Sequence, residues 1–176
     1  VAGTFILAFG WFGFNPGSTL SGTDLRISYV VVNTMLASVT ASIACMLTLW
    51  AKGLKPDPTM LCNGMLAGLV AITAPCAFVD PWAAGVIGAI AGWIVVESVF
   101  FFEKRGVDDP VGAISVHGVN GLWGVISVGI FATGNYGAGW NGVVREAFVK
   151  AYGSDGVRGI LYGDPGQLVM QIIDAV

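Results

Sequence analysis

The chain has a single histidine, His117, and the residues around it form the stretch best suited to chemistry. It lies within Asp108–Gly121, which reads DDPVGAISVHGVNG. At α-helical spacing His117 would share a face with Ala113, Gly121 and Gly124, which are all small. The imidazole is therefore expected to face a close-packed helix or an open lumen, and not lipid. An ionisable group inside a membrane span costs about 2.5–3.5 kcal/mol or more, so such groups usually face a pathway or a partner.

The alternative for His117 is a buried histidine that one neighbour satisfies with a hydrogen bond. Taken without its context, the sequence favours neither interpretation. Asp108 or Asp109 can cap the free N–H groups at the start of the helix that carries His117, and Pro110 suits its first turn. An apolar run then continues to Ala132. The choice between the two interpretations depends on whether this run is a membrane span.

A second candidate site is the aromatic cluster at Trp11–Phe14, with Ser18 close behind it. Aromatic residues in a span are more often packing residues or an interfacial belt. Here the cluster precedes a helix break at Asn15–Gly17, where freed backbone groups must line a cavity or be buried in protein. The hydroxyl of Ser18 can accept a hydrogen bond from an N–H ligand. The sequence shows no metal motif, nucleophile triad or phosphate loop, so no metal, cofactor or enzymatic activity is predicted.

The composition indicates whether water or lipid surrounds this chain. Hydrophobic residues make up 55% and charged residues 11%, and the mean hydropathy is +0.78. Soluble domains carry about 25% charged residues. So few polar side chains cannot cover a globule, which predicts an integral membrane protein whose solvent is the lipid bilayer. The net charge of −3 and the absence of a basic run give nucleic acid no electrostatic footprint.

The three cysteines, Cys45, Cys62 and Cys76, are interpreted as small packing residues. An odd number without metal-type spacing favours neither a disulfide framework nor a zinc site. The chain begins inside an apolar run without a basic leader, and it stops inside another. We therefore expect it to be a fragment that is truncated at both ends.

A membrane span needs about 20 mostly apolar residues. The sequence predicts five spans and the start of a sixth: Val1 to about Ser18, Ile27–Ala51, Met60–Phe78, Pro81–Phe102, Gly112–Ala132, and a last one beginning at Asp164-Pro165-Gly166. A glycine-rich loop, Thr133–Gly163, separates the last two and contains a short amphipathic segment at Val143–Tyr152. The predicted fold class is an all-α membrane protein built as a polytopic helical bundle.

Basic residues predict the orientation of this bundle. Lys52 and Lys55 follow the second span, and Lys104 and Arg105 follow the fourth. Short loops rich in Lys and Arg stay in the cytoplasm, so these two spans are expected to end there. The short loops on the other side hold only Arg26. Three basic residues of the long outer loop weaken this assignment without reversing it: Arg145, Lys150 and Arg158.

Small residues and one acid stand out inside the spans. Gly64 with Gly68, and Gly88 with Gly92, have the four-residue spacing that lets helix backbones approach closely. They are predicted to serve packing alone. Glu97 lies about two turns before the basic end of the fourth span, so it is expected to meet a basic or polar partner near the cytoplasmic interface. A role in a pathway is its alternative.

Several motifs resemble the Amt/Mep/Rh ammonium transporter family, in particular its Amt branch. They are GWFGFNPGS at Gly10–Ser18, Asn63–Gly64 with Ala67–Val70, the histidine motif at Asp108–Gly121, and YGDPGQ at Tyr162–Gln167. The resemblance covers nearly the whole chain in the family's order. The histidine motif is highly specific, whereas the glycine pairs are not.

The resemblance implies a fold of eleven membrane helices in two inverted repeats, assembled as a homotrimer with one pore per subunit. Residues 1–176 would then be a partial ammonium transporter domain that holds helices six to ten and the start of helix eleven. This is mostly the second inverted repeat. The orientation obtained above from basic residues agrees with the topology that the resemblance implies.

The resemblance also implies a site. Phe14 matches one of two stacked phenylalanines that close the outer pore, and Ser18 matches the serine of the external ammonium site. His117 matches the second histidine of a pair in the pore, and Leu7 falls at an apolar pore-lining position. The first histidine, the other phenylalanine and the recruitment tryptophan belong to helices absent from this sequence. Gly112 stands where some members carry an aspartate, so no acid is assigned there.

The implied function is transport of ammonium or ammonia, with methylammonium as an analogue, by a multi-pass protein of the cell membrane. A PII-type regulatory protein on the cytoplasmic side is an implied partner. Two other functions stay open. An ammonium sensor would use the same fold to drive an attached signalling domain. An unrelated membrane scaffold would use the histidine only for packing.

Overall fold

The structure is a computed structural model that describes residues 1–137, 150 and 156–175. The helices in chain order are α1 (Ala2–Gly17), α2 (Arg26–Ala51), α3 (Pro58–Thr73), α4 (Pro81–Lys104), a π-helical segment (Ile114–Val119) that continues into α5 (Asn120–Phe131), and α6 (Pro165–Ala175). Between α5 and α6 lie the strands β1 (Thr133–Gly137) and β2 (Gly156–Arg158), followed by a 3-10 turn (Ile160–Tyr162).

The described helices confirm the predicted fold class. By length and composition, α2, α4 and the continuous helix Ile114–Phe131 can cross a membrane, and α3 is a shorter apolar helix. Most helix boundaries lie within two residues of those predicted, because proline and aspartate mark the starts. Pro58 follows the capping residue Asp57, whose carboxylate accepts a hydrogen bond from the Thr59 N–H at 3.3 Å.

The predicted end of the third span is wrong. The span was expected to reach Phe78, but α3 ends at Thr73 and turns follow. Pro75 has no backbone N–H to donate to the helix ladder, which favours an end of the helix here. The buried amide of Asn33, on α2, satisfies the freed backbone by donating to the carbonyls of Cys76 and Val79, each at 2.8 Å.

Close backbone contacts around α2 hold the bundle together. Gly64 and Gly68 of α3, and Gly88 and Gly92 of α4, all lie against α2, as their spacing predicted. A Cβ atom on any of them would overlap atoms of a small-residue stripe on α2: Ala37, Thr40, Ala41 and Cys45. Because lipid is as apolar as the side chains, such close packing is what draws membrane helices together.

Two buried apolar clusters include parts of this stripe, Ala37 in one and Cys45 in the other. One joins Val30, Ile72 and Ile87 with Phe131 from α5. The other joins Leu69 and Val96 with Val116 from the π-helical segment, and Ala8 and Trp11 of α1 pack against its edge. The second cluster therefore connects the two helices that carry candidate site residues.

The segment predicted as a glycine-rich loop contains a small sheet in its described part. Strands β1 and β2 pair antiparallel, with Thr133 opposite Arg158. The Thr133 N–H donates to the Phe78 carbonyl at 3.0 Å, which ties the sheet to the connection between α3 and α4. The amphipathic segment predicted at Val143–Tyr152 lies outside the described residues except for Lys150.

The helices alternate in direction. The ends of α2 and α4 and the starts of α3 and the π-helical segment lie on one side. There, Asp57, Glu103 and Asp109 line a shared cavity of about 280 Å³. On the opposite side, the Tyr29 hydroxyl donates to the Asp80 carboxylate at 2.9 Å, joining the starts of α2 and α4. This alternation is the one that the predicted orientation requires.

Candidate functional site

The turn that carries His117 is held at its start by Asp109. The carboxylate of Asp109 accepts hydrogen bonds from the N–H of Ile114 at 3.0 Å and of Ser115 at 3.1 Å, and from the Ser115 hydroxyl at 3.1 Å. One of the two predicted capping acids is therefore the cap. Pro110 does not form the first helical turn as predicted, because it lies in a separate turn before Gly112, whose φ is +69°.

These bonds keep the Asp109 carboxylate charged. Partial burial alone raises the pKa of Asp109, but the hydrogen bonds from Ile114 and Ser115 outweigh it. The pKa of the carboxyl group therefore lies below its usual value. A folded-state pKa below the unfolded one stabilises the fold above the usual aspartate pKa. That contribution is lost as the pH falls through the lowered value.

The side chain of His117 is exposed, and no described residue forms a hydrogen bond with its imidazole. The alternative of a buried, singly satisfied histidine is therefore not what the described part of the chain shows. His117 does share an exposed strip with Ala113, as predicted. The predicted sharing of this face with Gly124 is wrong, because a Cβ on Gly124 would lie 2.6 Å from the Ala71 carbonyl oxygen on α3.

A π-helical turn explains this difference. Its hydrogen bonds run from residue i to residue i+5, so the turn is wider than an α-helical one and shifts the register of side chains across it. Gly121 likewise turns toward α3, where a Cβ would lie 3.9 Å from Val70. The register shift separates His117 from the small residues that pack behind it.

Leu7 and Phe14 lie together on the exposed face of α1. They line an apolar groove of about 340 Å³, with Ile6, Gly10 and Trp11 as its other walls. Phe14 is 60% exposed and Leu7 is 48% exposed in this chain. The groove therefore offers an aromatic and aliphatic surface with almost no polar atoms.

The tryptophan beneath this groove is anchored. The Trp11 indole N–H donates to the Thr73 hydroxyl on α3 at 2.9 Å. Its ring meets that of Phe14 edge to face, with centroids 6.0 Å apart. An edge-to-face aromatic pair stabilises its geometry by about 0.5–1.5 kcal/mol beyond area burial. Trp11 thus fixes both the tilt of α1 on α3 and the position of the Phe14 ring.

Ser18 caps the C-terminal end of α1, one turn beyond Phe14. Its hydroxyl donates to the Phe14 carbonyl at 2.7 Å, and its side chain is exposed. The hydroxyl proton is used in this internal bond. The hydroxyl oxygen can still accept a hydrogen bond from a ligand. The structure brings Leu7, Phe14 and Ser18 together on α1. It places His117 on a different helix, which α1 meets through the apolar cluster around Val116.

Glu97 has the basic partner that its position predicted. The Lys52 ammonium lies 2.8 Å from one carboxylate oxygen of Glu97 and 3.0 Å from the other. Lys52 also lies 5.7 Å from the centroid of the Phe100 ring. Both charged side chains are partly exposed, so this pair joins the ends of α2 and α4. Glu97 therefore needs no pathway role to account for its charge.

Sequence reasoning missed two features next to His117. It did not predict the π-helical turn, because periodicity distinguishes helix from strand and not one helix type from another. It also did not single out Asn120, whose buried side chain donates to the Ser115 carbonyl at 2.8 Å. A polar residue inside an apolar run was the available signal. Among the described residues, no group of three or more His, Cys, Asp or Glu side chains could hold a metal ion.

Taken together, closely packed apolar helices, an exposed ionisable residue on one of them and an aromatic groove on another define a class. This is a multi-pass membrane protein whose helices present a polar group where lipid-facing residues are expected to be apolar.

The chain belongs to the ammonium transporter family. The model of the Ammonium Transporter Family matches residues 1–176. Ammonium transporter Amt2 of Archaeoglobus fulgidus is 51% identical over 176 residues, covering 100% of this chain and 35% of that protein. Ammonium transporter 1 member 2 of Arabidopsis thaliana is 37% identical over 192 residues, with the same two shares, 100% and 35%. The chain is accordingly a multi-pass integral protein of the cell membrane.

Solved structures of the family share the fold. The Mep2 mutant delta442 from Candida albicans superposes with a TM-score of 0.82 at 31% identity, covering 99% of this chain and 41% of that one. A structure named Sensor Amt Protein superposes with a TM-score of 0.76 at 35% identity, with shares of 99% and 39%. The chain thus spans little more than a third of the length of these relatives.

Proposed function

We propose that the intact protein containing this chain carries ammonium, or ammonia formed from it, across the cell membrane. The observation that carries the proposal is the exposed imidazole of His117 on a membrane helix of an ammonium transporter family member. Within the intact protein, residues 1–176 form part of one transporter domain and supply helices six to ten and the start of helix eleven. The remaining helices complete the pore that this chain begins.

The first step is capture at the outer end of α1. A hydrated ammonium ion must exchange water for protein contacts. The faces of aromatic rings attract cations, so the Phe14 ring can replace part of the hydration shell. The Ser18 oxygen accepts a hydrogen bond from the ion at the rim. Phe14 then acts as one side of an outer gate, with its partner ring supplied by the rest of the protein.

In the second step, the exclusion of water selects neutral ammonia over the charged ammonium ion. Beyond the gate, apolar residues such as Leu7 line the path. Burial in an apolar surrounding disfavours the charged form and lowers the pKa of an ammonium group. The ion therefore loses a proton, and neutral ammonia crosses the apolar section. His117, paired with a histidine from the missing helices, accepts and passes on that proton or binds the neutral species. Imidazole can do so because it changes charge near neutral pH.

The assembly follows the family pattern. The intact protein forms a homotrimer with one pore per subunit, and a PII-type regulatory protein docks on its cytoplasmic side. This protein is a transporter and not an enzyme, because no covalent chemistry on the substrate is required beyond proton transfer.

An ammonium sensor is the second candidate, and one observation favours it. A structure named Sensor Amt Protein has the same fold at 35% identity. A sensor would capture ammonium at the same residues and pass the signal to an attached soluble domain. The full reading frame separates the candidates, since a kinase or cyclase domain beyond residue 176 favours the sensor.

Substitution of His117 tests the transport proposal in the intact protein. His117→Ala should abolish methylammonium uptake or change its coupling to protons, while surface expression and trimer formation stay normal. Uptake of labelled methylammonium into proteoliposomes measures the first quantity, and a solid-supported membrane current measures the second.

Ile114→Ala is the matched control. Ile114 is exposed on the same turn but has no ionisable group. Its variant should keep uptake close to that of the wild type. Normal uptake with normal coupling in His117→Ala would mean that His117 takes no part in transport and would remove the proposal.

A further inference from the structure

The π-helical segment Ile114–Val119 places His117 in an uncommon backbone conformation. π-helical turns are rare, and they occur mostly as single turns inside α-helices, frequently at functional sites. The turn is wider than an α-helical one, and its backbone is also bonded by side chains from residues outside the segment. Other groups must hold such a turn in place, and the structure shows which groups they are.

Ser115 is the residue through which the turn is held. Asp109 accepts hydrogen bonds from the N–H and the hydroxyl of Ser115, each at 3.1 Å. Asn120 donates its side-chain amide to the Ser115 carbonyl at 2.8 Å. All three polar groups of Ser115 are therefore engaged, and the residue is completely buried. Ser115 precedes His117 by two residues and Asn120 follows it by three, so the bonds bracket the histidine.

The two holding residues come from opposite directions. Asp109 lies before the helix and reaches Ser115 because the chain reverses at Gly112, whose φ of +69° suits glycine. Asn120 is buried at the start of α5, and its side-chain oxygen has no hydrogen-bond partner among the described residues. A buried amide with one unsatisfied atom carries a cost. It remains because the other half of the amide holds the Ser115 carbonyl.

An ordinary helix cap would not explain all the hydrogen bonds that Asp109 accepts. A capping side chain bonds to N–H groups two or three residues further on. Asp109 instead bonds to residues five and six positions later, and its second oxygen takes two donors from one residue. The neighbouring acid Asp108 forms no such bonds in the described chain and is exposed. The arrangement is therefore specific to one of two adjacent aspartates.

We infer that Asp109 and Asn120 are positioning residues that act through Ser115 to hold the π-helical turn and thereby fix the direction of the His117 imidazole. We call these three residues the Ser115 clamp. This inference rests on the proposed function for its effect on transport, but the clamp itself is a statement about geometry. When the clamp is released, the turn relaxes toward an α-helix, and the side chain of His117 rotates out of the pore axis.

The test compares Asp109→Asn with Asp108→Asn in the full-length protein. Asp109→Asn should lower the maximal rate of methylammonium uptake by about tenfold or more, since small misplacements of a reacting group cost up to about a hundredfold. The half-saturation concentration should stay within about twofold, because the capture site on α1 is untouched. Asp108→Asn should match the wild type in both quantities.

A spectroscopic signal reports the direction of His117 without transport. Protein labelled with ¹⁵N-histidine is studied by solid-state NMR in lipid, and the His117 imidazole signals are assigned by their loss in His117→Ala. Asp109→Asn should shift or broaden these signals, and Asp108→Asn should not. Unchanged signals and an unchanged maximal rate in Asp109→Asn, at equal surface amount, would overturn the clamp.

A milder variant covers the case in which Asp109→Asn does not fold. Ser115→Ala removes one hydroxyl bond and keeps both backbone bonds. It should lower the maximal rate by about threefold, in line with a single hydrogen bond, and should still shift the His117 signals. Signals that match the wild type would overturn the clamp here too. If the wild type itself takes up no methylammonium, the proposed function fails, whereas the NMR comparison still decides the clamp.

Discussion

Phe14 and Phe12 lie two residues apart on α1, and the helix turns them to different sides. Phe14 lines the apolar groove with Leu7. Phe12 is half-buried and faces a separate depression beside Ile27, at the start of α2. Successive side chains on a helix are about 100° apart, so two positions separate the rings by more than a right angle. Only one of the two can belong to a gate above that groove.

Phe14→Ala should therefore impair transport or selectivity more than Phe12→Ala. Loss of the Phe14 ring opens the groove and removes the cation–π surface, which is worth about 0.5–2 kcal/mol. Competition of potassium with methylammonium uptake measures the loss of selectivity in proteoliposomes. Phe12→Ala is the matched control, since it removes the same side chain from the same helix. Small and equal effects of the two variants would remove the gate assignment.

At the scale of residues, the sequence alone predicted the acidic cap of the helix that carries His117. The histidine motif and the capping aspartate could be recognised in the sequence, because a cap needs only a short polar side chain before an apolar run. The direction of His117 was not readable in full. It depends on a π-helical turn that Asn120 and Asp109 hold through Ser115. Those bonds join residues whose relation appears only once the backbone is built.

Helix packing depends on where a side chain would have no room. A Cβ on Gly92 would overlap the Ala41 carbonyl oxygen of α2. Gly85 lies on the same helix, two turns earlier, and a Cβ there would lie 3.8 Å from the Thr40 methyl group, an ordinary contact. The two glycines thus share a helix and a facing partner but differ in their clearance.

Gly92→Ala should destabilise the bundle, and Gly85→Ala should not. Inserting a methyl group into a tight helix contact typically costs about 1–3 kcal/mol. Alanine also favours the helix by about 0.8–1.0 kcal/mol over glycine, a gain that Gly85→Ala keeps. The midpoint of thermal unfolding of the purified full-length protein measures both effects. A midpoint for Gly92→Ala equal to or above that of Gly85→Ala would contradict the packing.

Element boundaries were predictable where the chain marks them locally. Two helix starts could be predicted from local residues alone, at Asp57-Pro58 and at Asp80-Pro81. The end of α3 was missed because apolar residues continue past Thr73. The turn there is stabilised by Asn33, which lies more than forty positions away in sequence. The strands β1 and β2 were missed for the same reason, since their pairing joins distant short segments without a period of their own.

At the scale of the molecule, this chain has both a closely packed bundle interior and exposed faces that the proposed function assigns to a pore. Small residues seal α2 against α3 and α4. Meanwhile α1 and the π-helical segment leave Phe14, Leu7 and His117 exposed. The chain spans 35% of Amt2 from Archaeoglobus fulgidus, so the proposed pore requires residues beyond these faces. The direction in which such a pore points is set by the charges at the helix ends.

The final prediction concerns that direction. The structure places the ends of α2 and α4 on one side, where Lys52, Lys55, Lys104 and Arg105 follow the helices. Basic loops stay in the cytoplasm, so this side is expected to face inward and Ser18 outward.

Cysteine labelling with a membrane-impermeant maleimide measures the orientation, after Cys45, Cys62, Cys76 and any cysteines in the remaining chain are replaced by alanine. Leu54→Cys reports the α2–α3 loop and leaves its lysines in place, and Thr23→Cys reports the opposite loop; both positions are exposed. In intact cells Thr23→Cys should be labelled at once, whereas Leu54→Cys should need permeabilisation. The reverse pattern would place Ser18 inside and would exclude it from capture of external ammonium.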